Sequence, residues 1–381
     1  MLKILWIPHS WEGGAKPRAR YFIERLAERH TIHVVCWESP ISRTISGLMR
    51  SLQVWERFQN GVTHHHVPRL PLDIRRDGAP VITQALFHRA LRRIVSEHDI
   101  DIIVCSCNWY ALGFPPKDLG VPLVLDYFDI LTDAHEKRYF AACDAVLCSS
   151  SVLFDRARKF AVSSFYLPNG VDSRLFGNAS GDAVRREYGL EKSRVVSLIG
   201  LTASPTLYFV DAINRVADQY PDVKGLIVGD GPLRPRIERA IRGHEDRFRI
   251  VGPVSFERIP EFFACTDVGL YPGDMGPQFE AALPIKVLEY SAAGKPVVVP
   301  PLEELSRLNF PNLIMAEPSA EGFADGILRA FREPLTPADV TRFDLGALVQ
   351  ELDQILNNVF QSARGGRVPR MAHTAATAGP R

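Results

Sequence analysis

Hydrophobic and polar positions along the chain follow two rhythms. Short apolar runs at Leu2–Ile7, Thr31–Trp37, Gly61–Val67, Ile100–Cys105, Val121–Asp126 and Ala145–Cys148 predict buried strands. Between them lie stretches whose apolar residues recur every three to four positions, the first over Pro17–Arg29, and these predict helices. A second series starts at Arg194–Ile199 and continues through Val223–Val228, Phe248–Val251, Val268–Tyr271, Pro296–Val299 and Asn312–Met315. Strands alternating with helices imply parallel sheets covered on both faces, an α/β class. Leu167-Pro168-Asn169-Gly170-Val171-Asp172 is a turn signal between the two series. The expected organisation is therefore two doubly wound Rossmann-like domains, residues 1–168 and 169–344, facing a cleft. A helix over 345–361 should pack on the body. Residues 362–381, rich in Gly, Ala, Thr and Arg, read as a disordered tail.

Two arginine-bearing stretches carry helical spacing. In Ile41–Phe58, the residues Ile41, Ile45, Leu48, Met49, Leu52 and Trp55 share a face, with Arg43, Arg50 and Arg57 between them. Ala85–Val95 repeats the theme with Arg89, Arg92 and Arg93. Core-facing helices explain both stretches, and so does contact with an anionic membrane or acceptor. Charge sharpens the second reading. Residues 1–100 hold 15 Lys and Arg against 9 Asp and Glu, a balance of +6, whereas the remainder holds 30 against 35. Nucleic acid is not expected, because no binding motif accompanies the arginines.

Composition excludes several classes. The 381 residues are 46% hydrophobic and 23% charged, which suits a folded chain rather than a disordered one. No apolar run reaches the ~18 residues of a membrane span, and the N-terminus shows no signal-peptide pattern. The expected location is cytoplasmic, with membrane association as an addition. Cys36, Cys105, Cys107, Cys143, Cys148 and Cys265 form no Cys-x-x-Cys pair and read as free thiols in or beside strands. His64-His65-His66 is not spaced as a metal cluster, since strand alternation puts His65 on the face opposite His64 and His66. No metal and no cofactor is expected.

Gly229-Asp230-Gly231 follows a strand and opens a helix, but the dinucleotide fingerprint needs a third glycine where Arg234 stands. A dehydrogenase is thereby the weakest reading. Gly13-Gly14 lies between the first strand and first helix, where backbone amides and a helix N-terminus suit a phosphate. An ordinary flexible turn is the alternative. The most informative segment runs from Pro284 to Val299, a helix stopped by Gly294 and followed by a buried strand. Lys286 and Glu289, three residues apart, share a helical face. At a cleft they offer an ammonium for phosphate and a carboxylate for a vicinal diol.

This segment resembles the donor-site helix of family 4 (group 1) glycosyltransferases with the GT-B fold. Asn169-Gly170-Val171-Asp172, Leu226–Leu233 and Val251-Gly252-Pro253-Val254 followed by Ile259-Pro260 also match, in the family's order. The resemblance covers nearly all of the second domain. In the first it rests on the opening strand, Gly13-Gly14 and the strand order. It implies metal-independent transfer of a sugar from a nucleotide-sugar donor, a substrate rather than a cofactor, to an acceptor hydroxyl. Cell-surface polysaccharide or glycolipid assembly is the implied setting, with a sugar or lipid-linked sugar as acceptor. Glu289 would hold the ribose hydroxyls and Lys286 the diphosphate. Gly13, Gly14, Gly200 and Thr202 would approach the phosphates, and Gly252 to Val254 would line the base slot.

Three positions depart from the family pattern. The first glutamate of its pair falls on Ala281, with Glu280 one residue early as a candidate replacement. The Arg and Lys expected after the second domain's first strand are absent from residues 201–206, leaving Lys286 with Arg18 or Arg20 to carry the phosphate charge. The histidine after the fourth strand is replaced in Asp126-Tyr127-Phe128-Asp129. Asp126 is the candidate general base, which an inverting reaction would require, with Asp129 behind it. A helix N-cap or a structural hydrogen bond is its alternative role. A retaining outcome is what the family implies. The departures keep two rivals open, an inactive GT-B scaffold that binds a partner and a nucleotide-sugar epimerase.

Overall fold

The computed structural model describes residues 1–8, 18–36, 54–67, 75–76, 79–106, 117–160, 163–200, 207–273 and 275–365. In the first domain the strands are β1 (Lys3–Ile7), β2 (Thr31–Cys36), β3 (Trp55–Gln59), β4 (Val62–His66), β5 (Arg75–Arg76), β6 (Ala79–Pro80), β7 (Ile102–Ser106), β8 (Leu123–Tyr127), β9 (Ala145–Cys148) and β10 (Ser164–Tyr166). Eight of them form one sheet in the order β10-β9-β8-β7-β1-β2-β4-β3, while β5 and β6 pair separately. The sheet is parallel except at its last step, where β3 runs antiparallel to β4. Apart from Lys3 at the start of β1, its central strands are buried throughout, as helices on both faces require.

The β3 edge corrects the helical reading of Ile41–Phe58. Trp55 to Phe58 belong to a strand whose side chains are mostly exposed, Phe58 at 73%. The reason is the Asn60-Gly61 turn, with φ of 52° and 77°, a left-handed pair that closes a two-residue hairpin. The preceding residues 37–53 lie outside the described residues. Ala85–Val95 does form a helix, Val81–His98, and it buries Phe87, Leu91 and Ile94. Of its arginines, Arg92 pairs with Asp118 and Arg93 with Glu97, so this basic face is partly neutralised.

The second domain contributes β11 (Arg194–Ile199), β12 (Val223–Val228), β13 (Phe248–Val251), β14 (Val268–Leu270), β15 (Val297–Val299) and β16 (Leu313–Met315). All are parallel, in the order β13-β12-β11-β14-β15-β16. Both sheets place their topological switch beside the first strand of their series, and such folds bind ligands at the strand C-termini there.

The last helix, Leu345–Arg364, runs beyond the expected end at 361. It crosses back to the first domain, where Leu348, Leu352, Leu356 and Phe360 join a core with Ile4, Trp6, Phe22 and Leu26. A second tie links the domains near the cleft. Glu304 of the helix Glu303–Leu308 is 1% exposed. Its carboxylate accepts hydrogen bonds from Ser151 N (3.0 Å), Ser151 Oγ (2.6 Å) and Val152 N (3.1 Å). Those amides open the helix Ser151–Arg158 of the first domain, so the charge sits at the positive end of that helix. Arg307, one turn on, reaches Asp155 at 2.7 Å.

Candidate active site

The site is built on the helix Ile285–Ala292, which Pro284 precedes in an extended conformation. Its buried face is fixed to the sheet through Tyr290. The Tyr290 hydroxyl lies 2.8 Å from Ser197 Oγ on β11 and donates to Ser197 O at 3.0 Å. The ring lies flat on Gly269 of β14, where a Cβ would come within 2.6 Å of it. Only glycine fits there. At the other end, Asn312 Nδ2 donates to Ser291 Oγ at 3.0 Å and to Lys295 O at 2.7 Å.

With the helix so held, Lys286 and Glu289 come together at the C-terminal end of β11. Lys286 Nζ is 3.0 Å from Glu289 Oε2, in an ion pair whose angle leaves Oε2 without a hydrogen bond among the described residues. Glu289 is 2% exposed, and burial pushes its carboxyl above the usual range, while the Lys286 charge opposes the shift. Gly200, the residue after β11, has φ of +86°, and a Cβ on it would sit 3.2 Å from Lys286 Cε. The left-handed backbone conformation calls for glycine at this position, and its bare Cα lets the Lys286 side chain come close. A buried carboxylate oxygen lacking a donor, beside an ammonium at a helix start, is a place for hydroxyl groups next to an anion.

Gly252 follows β13, and its Cα faces Arg234, with Nη1 3.5 Å from where a Cβ would be. Arg234 was read from sequence only as an obstacle to a dinucleotide turn. In the fold it is a cation beside the Gly252–Val254 turn, paired with Glu238 at 2.8 Å. Val254 is half-buried against the second domain's core. Phe256, just beyond, meets Tyr21 of the first domain edge-on at 5.8 Å. Burial, with the Glu289 charge as a further cause, pushes the Tyr21 phenol upward. Sequence reasoning missed Tyr21, since nothing local ties residue 21 to residue 289.

Asp126 ends up buried at 1% exposure. Its Oδ1 accepts from Arg18 Nε at 2.9 Å, and its Oδ2 is buried without a hydrogen bond among the described residues. The rest of the Arg18 guanidinium donates to the backbone of Leu167 and Pro168 and to Asn169 Oδ1. Asn169 Nδ2 in turn donates to Leu283 O at 2.6 Å, just before the Lys286 helix. Asp126 therefore anchors an arginine that clamps the domain junction. Arg18 is engaged in that clamp, and Arg20 pairs with Glu24 at 2.9 Å on the helix surface.

Glu280 ends the short helix Pro277–Glu280, and its Oε2 accepts from Glu303 N at 2.6 Å. One oxygen thereby caps the helix bearing Glu304. Ala281 is buried and packs with the first domain's core. Gly13, Gly14 and Thr202 lie outside the described residues.

Two family models match adjoining parts of the chain. One described as Glycosyltransferase Family 4 spans residues 12–175, and one described as Glycosyl transferases group 1 spans residues 195–333. The chain is 29% identical over 237 residues to the alpha-D-kanosaminyltransferase of Streptomyces kanamyceticus, covering 54% of this chain and 60% of that protein. It is 28% identical over 216 residues to TuaH of Bacillus subtilis (strain 168), named for teichuronic acid biosynthesis, covering 54% and 52%. The chain thus spans between half and two thirds of the length of these relatives. Among solved structures, Anabaena HepE in complex with UDP and glucose superposes with a TM-score of 0.67 at 17% identity, over 94% of this chain and all of that one. Matched in both halves and folded as two facing parallel-sheet domains, the chain belongs to the GT-B glycosyltransferases of the family 4, group 1 type.

Proposed function

We propose that the protein transfers a sugar from a nucleotide-sugar donor to an acceptor hydroxyl in the assembly of a cell-surface polysaccharide or glycolipid. The Lys286–Glu289 pair against Gly200 carries this reading. On it, the ribose diol satisfies the orphan Glu289 oxygen and the diphosphate takes Lys286. The two relatives support it, one named as a sugar transferase and the other for synthesis of a wall polymer.

The transfer breaks the bond between the anomeric carbon and the diphosphate and forms one to the acceptor oxygen. Negative charge grows on the departing diphosphate, where Lys286 and the first-turn amides of its helix supply fixed positive potential. Arg234 adds a cation near the base-slot turn. No added divalent ion is needed for this stabilisation. With Asp126 paired to Arg18, we favour a retaining outcome, in which the acceptor approaches on the leaving group's side and its proton passes to a diphosphate oxygen.

An inactive scaffold is the competing reading, favoured by the use of Glu280 as a helix cap and of Arg18 as a clamp. Release of nucleoside diphosphate, assayed across nucleotide sugars without added metal, separates the two. Turnover that Glu289→Ala abolishes supports transfer, and no turnover with any donor and acceptor supports the scaffold. Conversion of the donor without acceptor would instead mark an epimerase. Membrane association is a further part of the proposal. No described helix is long and apolar enough to cross a membrane. A surface contact of the first domain is checked by sedimentation with anionic liposomes at low salt, and absence of binding removes it.

A further inference from the structure

Away from the cleft, the β2–β4–β3 edge of the first sheet gathers three histidines and a carboxylate. His33 on β2 and His65 on β4 share a face, and their rings stack with centroids 5.1 Å apart. His33 Nδ1 lies 2.8 Å from His65 Nε2. His98, the last residue of the helix Val81–His98, adds a third ring 4.7 Å from His33 and 4.9 Å from His65. One potential ligand nitrogen from each of the three falls within 4.8 Å of the others. Glu56 on β3 places Oε1 3.1 Å from His65 Nδ1 and 2.9 Å from His98 Nε2.

We propose that His33, His65 and His98 bind a zinc-type divalent transition-metal ion, with Glu56 orienting the His98 ring and facing His65 from outside. Imidazole nitrogens select zinc and its neighbours over magnesium or calcium. A carboxylate on the outward nitrogen of a ligating histidine is the usual second layer of such sites, because it fixes the tautomer. Here Glu56 accepts from His98 Nε2–H, which leaves a lone pair on His98 Nδ1, and its Oε1 faces His65 Nδ1 at 3.1 Å off hydrogen-bond geometry, so that a proton on Nδ1 leaves the His65 Nε2 lone pair toward His33. His33 supplies the third ligand from Nδ1 once its proton resides on Nε2, an exchange through solvent that changes no net charge. Zinc–nitrogen bonds of about 2.0–2.1 Å put tetrahedral ligands about 3.3 Å apart, so the 2.8 Å contact opens slightly. His98 is partly exposed and gives the ion its way in, with water as fourth ligand. The run His64-His65-His66 contributes one member only. His64 lies by Cys36 Sγ at 3.5 Å and His66 stacks on Trp55. The ion would pin an exposed hairpin edge to the helix behind it, far from the sugar chemistry.

The test uses the full chain freed of metal with a chelator, titrated with Zn2+ alone against a chromogenic competitor, and with Co2+ followed by its visible absorption. We expect one high-affinity ion per chain, tetrahedral-type cobalt bands, and a rise in melting temperature on zinc addition. Glu56→Gln should weaken the affinity about 10–100-fold. His98→Asn, at a partly exposed position that leaves the core intact, should abolish the cobalt bands and the thermal rise. No stoichiometric ion on the wild type, or wild-type affinity in either variant, overturns the site. None of these readouts depends on turnover.

Discussion

Glu289 is buried where a carboxylate is costly, and among the described residues Lys286 offsets that cost. A donor diol needs the ionised form, so donor affinity should fall as pH drops through the raised Glu289 pKa, above the range where an ordinary glutamate protonates. The unliganded fold has the opposite sign. Between the ordinary and the raised value the folded state binds the extra proton, so its stability falls as pH rises through that window. Titrating nucleotide affinity and the unfolding midpoint against pH should show both trends, and Glu289→Gln should flatten both. Asp126 is a second residue-scale case. As the anchor of Arg18, Asp126→Asn should cost about 3 kcal/mol of stability by denaturant titration and leave the shape of the pH–rate profile unchanged. Unchanged stability with loss of the profile's acidic limb would make it the general base instead. Glu289 and Lys286 were legible in the sequence because helix spacing alone pairs them. The partners of Asp126 were not, because Arg18 lies 108 residues away and only the fold brings it near.

At the scale of elements, what matters is how the Lys286–Glu289 helix is held. Tyr290 on Gly269 locks one face, and Asn169 secures the residue before its entry. A glycine inside the β14 run Val268–Leu270 was the visible signal for close approach, though not of which ring approaches. The Asn60-Gly61 turn, which the strand reading from Gly61 passed over, outweighs the helical spacing of Trp55 to Phe58 because a left-handed pair forces the chain back on itself. No local pattern announced Glu304, which caps a helix 153 residues away in sequence. Glu304→Ala leaves the Ser151 and Val152 amides short of an acceptor and should destabilise the protein by about 1–3 kcal/mol, read as a lower denaturant midpoint. Wild-type stability in this variant would show that water replaces the carboxylate.

Across the whole molecule, three ties hold the two domains around the cleft: the returning helix Leu345–Arg364, the Arg18–Asn169 clamp and the Glu304 cap. The two-series rhythm and the turn at 167–172 made the pair of domains readable from sequence. The ties were not readable, since each joins residues from opposite ends of the pattern. Beside these ties, Tyr21 of the first domain meets Phe256 of the second edge-on at 5.8 Å. The most direct test of the donor site is a thermal-shift titration of nucleoside diphosphates and nucleotide sugars on the wild type and on Glu289→Ala. A ligand at 100 times its Kd should stabilise the wild type by about 2.7 kcal/mol, a rise of a few degrees, and the variant should lose it. An equal rise in both proteins, or no rise with any nucleotide, would contradict the assignment of Glu289 and of the donor site built around it.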